Sequence, residues 1–216
     1  LRRSRGLGDV YKRQGDGRLV EHADLSKIAT YHCNDMVVDT LGRAYVGNFG
    51  SDIESGNKLV KAKLAFVDTD GSVSVAAEDL AFPNGAVITP NGKTLIIGES
   101  FGRCLTAFDI ADDGGLSNRR VWANLHPHIP DGICLDAEGA IWLADPANHC
   151  VVRVAEGGDV LQKIEMGNGT FACMLGGEDR KTLFVCTAAG SGSKAEERLT
   201  AKIEACEVSV PGVGCP

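Results

Sequence analysis

The chain has 216 residues, an apolar fraction of 44% and a formal net charge of -7, which suits one large domain with a substantial core rather than two small ones. The acidic balance argues against a nucleic-acid partner, because phosphate binding needs Lys and Arg clustered on one face. No apolar run approaches the roughly 18 residues of a membrane span, and no charged-then-apolar leader is visible, so no membrane partner and a soluble, cytoplasmic protein are expected.

Residues 1–14 carry the single basic cluster, Arg2, Arg3, Arg5, Lys12 and Arg13 against Asp9. Gly8-Asp-Val-Tyr-Lys-Arg-Gln14 reads like translated adapter sequence, so residues 1–14 are expected to be a non-native segment and residues 15–216 one domain. Gly15-Asp-Gly-Arg-Leu-Val-Glu21 reads as the tail of a blade whose start is missing, so an N-terminally truncated fragment is expected. Next comes a motif of Asn or Asp, an apolar run, a Gly turn and a second apolar run. Its copies are Asn34-Asp-Met-Val-Val-Asp-Thr-Leu-Gly-Arg-Ala-Tyr-Val-Gly47, Asn84-Gly-Ala-Val-Ile-Thr-Pro-Asn-Gly-Lys-Thr-Leu-Ile-Ile-Gly98 and Asp131-Gly-Ile-Cys-Leu-Asp-Ala-Glu-Gly-Ala-Ile-Trp-Leu-Ala144. A lapsed fourth copy runs from Ala172 to Cys186. Between the copies, Leu105-Thr-Ala-Phe and Val151-Val-Arg-Val alternate like half-buried strands. Asp70-Gly, Asn91-Gly, Asp113-Gly-Gly, Glu138-Gly and Gly157-Gly supply hairpin turns. No segment keeps a helical apolar period.

Residues 34, 84, 131 and 172 recur at about 50, 47 and 41 residues, the period of a β-propeller blade. The expected fold is therefore all-β, a propeller of which about four blades are present, too few to close a ring. Equivalent positions on innermost strands meet around one channel, so three of the four offer oxygen ligands to a common point. An Asn or Asp opening a strand is commonly a turn former that caps its own backbone. Turn chemistry would keep the same polar residue in every copy, so Asn84 and Asp131 are read as ligands and Asn34 as a site residue. Asp39 and Asp136 repeat just before Gly42 and Gly139 and read as structural. His126-Pro-His128 lacks a Cys or acidic partner at ligand spacing and reads as a loop. Ser100 lacks the Gly-x-Ser-x-Gly context of a hydrolase elbow. The eight cysteines include no Cys-x-x-Cys and several lie in apolar runs, so buried free thiols are expected.

At Asn34-Asp35, Pro83-Asn84-Gly85 and Pro130-Asp131-Gly132 the chain resembles the senescence marker protein 30, gluconolactonase and luciferin-regenerating enzyme family. The likeness runs from about residue 17 onward, including Glu99-Ser-Phe-Gly-Arg-Cys-Leu-Thr-Ala-Phe-Asp109, Trp142-Leu-Ala-Asp-Pro146 and Val208-Ser-Val-Pro-Gly212. The resemblance implies a six-bladed propeller with one divalent metal ion, calcium or zinc, at the channel mouth, and hydrolysis of a small lactone. It implies Asn84 as the neutral amide ligand, Asp131 as carboxylate ligand and proton acceptor, and Asn34 as a substrate contact. Asp52 aligns with a carboxylate that orients substrate hydroxyls, although its loop reads equally as a solvated turn. Oxygen-only ligands suit a hard cation such as calcium. Two departures stand out: the family's early Glu-Gly-Pro motif, which carries a further metal ligand, has no counterpart, and His32 stands where sugar lactonases tend to have Arg. The alternatives are an inactive propeller serving as a binding module, and a related metal-dependent esterase or phosphotriesterase.

Overall fold

In the computed structural model, residues 9–52, 55–191 and 199–214 are described. Residues 1–8, part of the loop after Asp52, part of the Ala/Gly/Ser stretch near 190, and Cys215 lie outside them. The described residues form seventeen strands and no helix. Strands β1 (Asp9–Arg13) and β2 (Leu19–Asp24) make a two-stranded sheet. A four-stranded sheet follows from β3 (Cys33–Val38), β4 (Ala44–Asn48), β5 (Ala62–Val67) and β6 (Val73–Leu80). The next contains β7 (Pro83–Ile88), β8 (Thr94–Glu99), β9 (Cys104–Ile110) and β10 (Leu116–Asn124). The third is β11 (Ile133–Leu135), β12 (Ile141–Asp145), β13 (Cys150–Val154) and β14 (Val160–Glu165). Last come β15 (Gly169–Gly176), β16 (Thr182–Ala188) and β17 (Lys202–Glu207), a three-stranded sheet. All pairs are antiparallel between sequence neighbours, the meander of propeller blades. Strand β1 lies inside the segment set apart in the sequence, and its Val10 is buried against Ala23, Leu25 and Val46.

The core lies between blades. Val37, Tyr45 and Leu64 of one blade pack against Leu95, Ile97 and Phe108 of the next. Ile96, Leu105 and Trp122 face Ile133, Leu143 and Val152, and Trp142 and Val151 face Leu175, Leu183 and Val185. This sandwiching corrects the expected alternation in Val151-Val-Arg-Val, because β13 is buried on both faces. Its one charge, Arg153, is held by Asp136 at 2.6 Å and Glu138 at 2.7 Å. Asp136 also accepts the backbone N–H groups of Glu138 and Ala140, and Asp39 treats Leu41, Arg43 and the Arg43 guanidinium in the same way, so both are structural. The seven cysteines among the described residues are free. Among the described residues there is no helix long and apolar enough to cross a membrane.

The first strands of successive blades, β3, β7, β11 and β15, lie side by side. At one end they join through backbone hydrogen bonds, Gly85 N–H to Asp131 O at 3.2 Å and Gly132 N–H to Phe171 O at 3.0 Å. A Cβ on Gly85 would come within 2.6 Å of the Asp131 carbonyl, and one on Gly132 within 2.8 Å of the Ala172 Cα. Glycine is thus required where one inner strand crosses the next. These bonds also correct the alignment of the fourth copy: Gly132 faces Ala172, so the counterpart of Asn84 and Asp131 is Phe171. Counting back from the Gly turn displaced the register, because β15 and β16 pair as far as Gly176 and Thr182 whereas β11 and β12 stop at Leu135 and Ile141.

Candidate functional site

Asn34 and Asn84 both sit in β-bulges at the start of their inner strands, between Cys33 and Met36 and between Pro83 and Ala86. A bulge re-aims the side chain it carries and is common beside functional sites. Asp131 occupies the matching place ahead of β11, its N–H bonded to Ala144 O at 2.9 Å. Phe82, two residues before Asn84, has φ of 62°, a left-handed conformation that costs a bulky residue about 1–3 kcal/mol. It is held between Phe49, with ring centroids 4.6 Å apart, and Phe101, at 5.2 Å. Phe49 continues to Tyr31 and His32, so aromatic rings flank the Asn34–Asn84 side of the mouth.

Asn84 is buried, and its Nδ2 donates to Ser100 Oγ at 3.1 Å. Its Oδ1 is buried with no hydrogen-bond partner, a condition that calls for a water or an ion. The same side-chain amide reaches the Asp131 carboxyl. Burial first, and the nearby charge of Asp35 second, push Asp131 up to about 7, while Asn84 and the Gly132 N–H pull it partly back. Asp35 is itself raised by desolvation, although the residue as a whole is open to solvent. Asn84, Asp131 and Asp35 are therefore brought together, with half-buried Asn34 directly ahead of Asp35 on β3. Asp35 thus supplies a second carboxylate where the repeat motif points only to Asp131. The available signal was that Asp35 stands where the next two copies require Gly85 and Gly132.

Asp52 lies in the loop after β4. It accepts from Ser55 Oγ at 2.7 Å and Ser55 N at 3.1 Å, which hold its carboxyl below the usual range, with smaller contributions from a Tyr31 hydrogen bond and the charge of His32. It forms a local turn at the aromatic side of the mouth.

A second feature repeats beneath the mouth. Asn48, Glu99 and Asp145 end the second strand of successive blades, Thr187 is the penultimate residue of the corresponding β16, and all four are buried. Glu99 accepts the Ala81 N–H at 2.6 Å, and Asp145 holds His128 Nδ1 at 2.8 Å. Ala81 and His128 each lie three residues before a mouth residue, Asn84 and Asp131, so these carboxylates fix the segments that deliver them.

Among the described residues, His128, Asp145 and Cys150 form the one compact trio of His, Cys, Asp or Glu donors. Their geometry is that of a hydrogen-bonded cluster. Asp145 already accepts from His128 and twice from Asn148, at 2.7 and 3.1 Å. The 2.8 Å between Nδ1 and Oδ2 is shorter than the spacing of about 3.3 Å that tetrahedral zinc bonds impose. Burial, with the neighbouring Asp145 charge second, pushes the Cys150 thiol up to about 11 in the metal-free cluster. Asp145→Ala is expected to destabilise the fold by on the order of 3 kcal/mol through stranded buried donors. A denaturant midpoint within error of the parent would contradict it.

Radially packed antiparallel blades with oxygen donors gathered at one mouth define a β-propeller with a single candidate centre. The chain belongs to the SMP-30/Gluconolactonase/LRE-like family, whose model matches residues 5–189. It is 29% identical over 163 residues to the pentonolactonase XacC of Haloferax volcanii, covering 74% of this chain and 54% of that protein. It is 29% identical over 197 residues to regucalcin of Danio rerio, covering 89% of this chain and 66% of that protein. In fold it is similar to a luciferin-regenerating enzyme, with a TM-score of 0.81 and 19% identity over 95% of this chain and 73% of that one. The chain thus spans about half to two thirds of these curated relatives.

Proposed function

We propose that the protein is a metal-dependent lactone hydrolase whose centre is Asn84 and Asp131, with Asn34 and Asp52 toward the substrate. The observation that carries this reading is the buried, unpartnered Asn84 Oδ1 beside a carboxyl raised to about 7, within a family that includes proteins named as lactonases. The donors are oxygens, which fits a hard divalent cation, calcium in preference to zinc. Such a cation, when bound, supplies polarisation of the lactone carbonyl and stabilises negative charge on its oxygen. Asn84 Oδ1 and an Asp131 oxygen would hold it, and Asp35 adds a second negative charge nearby. Asp131, ionised, accepts the proton of an attacking water, a task suited to a carboxyl titrating near neutrality. His32 and the rings of Tyr31, Phe49 and Phe101 present a less polar surface than an Arg would, which supports small lactones with an apolar face alongside sugar lactones. The free thiols accord with a reducing compartment such as the cytoplasm.

The test is titration of the intact protein with calcium and with zinc, followed by turnover of sugar and alkyl lactones. Asn84→Ala is expected to weaken cation binding by at least about tenfold. Unchanged affinity would remove Asn84 from the centre. Cation binding without turnover of any lactone would favour the binding module, and turnover of phosphotriesters alone the related esterase.

A further inference from the structure

Ser100 follows Glu99 at the end of β8 and is buried. Its Oγ donates to Pro130 O at 2.7 Å and receives Asn84 Nδ2 at 3.1 Å. A hydroxyl has one hydrogen and two lone pairs. The Pro130 carbonyl can only accept, so it takes the hydrogen. Toward Asn84 the hydroxyl can then only accept, which selects the nitrogen end of the amide. The oxygen end is left over, and it is the atom found buried without a partner. The same hydroxyl spans two blades, because Pro130 immediately precedes Asp131 while Asn84 belongs to β7. The matching residues of the other blades are Phe49, Pro146 and Ala188, none with a hydroxyl.

We propose that Ser100 is a positioning residue for the metal centre: it sets the polarity of the Asn84 amide so that Oδ1 faces the cation, and ties that amide to the strand bearing Asp131. The inference rests on the metal reading given above. Supporting groups of this kind orient ligands without touching the ion, and their loss typically costs about 10–100-fold in metal affinity. In Ser100→Ala the amide keeps only the Asp131 carboxyl to select its orientation, a group that the cation itself would engage, and Pro130 O loses its donor.

The experiment is a double-mutant cycle read by calcium binding calorimetry on the intact protein, with thermal unfolding as the control for folding. In the Asn84 background, Ser100→Ala is expected to weaken calcium binding by about tenfold or more. In an Asn84→Asp background both ends of the side chain are oxygens and no polarity needs setting, so Ser100→Ala should change affinity by no more than about twofold. A role confined to holding Pro130 predicts the same loss in both backgrounds and would overturn the proposal. Ser100→Thr keeps the hydroxyl and should retain affinity, whereas near-isosteric Ser100→Cys, a weak donor and acceptor, should lose it. That pair decides the matter if the alanine variant does not fold. Calcium binding by the parent that survives Ser100→Ala overturns this inference alone. Absence of cation binding by the parent overturns the metal reading and this inference with it.

Discussion

Asp131→Asn is expected to lower lactone hydrolysis by on the order of 10²–10⁴-fold and to weaken cation binding, while the metal-free protein unfolds at the parental temperature or slightly above it. The two halves of this result have one cause. Burial and the Asp35 charge both oppose ionisation of Asp131, so a neutral amide removes an electrostatic cost from the fold. The same amide can neither balance a cation nor accept a proton from water. An Asp kept only to cap a turn behaves in the opposite way, losing about 1 kcal/mol of stability with activity retained. Lactone turnover and thermal unfolding of parent and variant, side by side, separate the two. Near-parental turnover would remove Asp131 from the chemistry.

Calcium affinity is expected to depend on pH with a break near neutrality. Without the ion the Asp131 carboxyl is pushed up to about 7, and binding requires its ionised form, so proton and cation compete. As pH falls below 7, affinity should drop by about tenfold per unit and binding should release up to one proton. Above that point affinity should level off. Calorimetry in two buffers of unlike ionisation enthalpy measures the released proton directly. Affinity constant between pH 5 and 8 would contradict the raised carboxyl.

The metal-free fold carries the converse dependence. The folded value lies above the 3.8 of an ordinary Asp carboxyl, so the contribution of this group to stability is full below 3.8. It declines as the unfolded chain ionises first and stays lost above about 7. Asp35→Asn should recover part of the loss, because it removes the like charge and leaves the burial.

The repeat was legible because each copy carries two signals that depend on local chemistry alone, a Gly turn and apolar strands of fixed length. From these the inner strands, and Asn84 and Asp131 at their heads, followed directly. Asp35 was not legible, since proximity to Asp131 depends on how two blades lean together, although the missing glycine at that place was a readable anomaly. Nor was the fourth copy placed correctly: counting from a turn assumes hairpins of equal length, and β15–β16 is longer. The buried row of Asn48, Glu99, Asp145 and Thr187 escaped because the motif was read only to Gly47, Gly98, Ala144 and Cys186, one residue short in every copy. Ser100 sits in no nucleophile motif, and its contact with Pro130 O spans thirty residues that no local pattern links.

The glycine crossings at Gly85 and Gly132 let neighbouring inner strands dock main chain to main chain. The location of each mouth residue is thereby set by atoms that every amino acid shares, independently of the side chain it happens to carry. Amide, carboxylate and phenyl already occupy corresponding places at Asn84, Asp131 and Phe171 on the same backbone. The mouth accordingly behaves as a row of interchangeable sockets, in which ligand chemistry can be rewritten one residue at a time while the glycines beside it stay fixed.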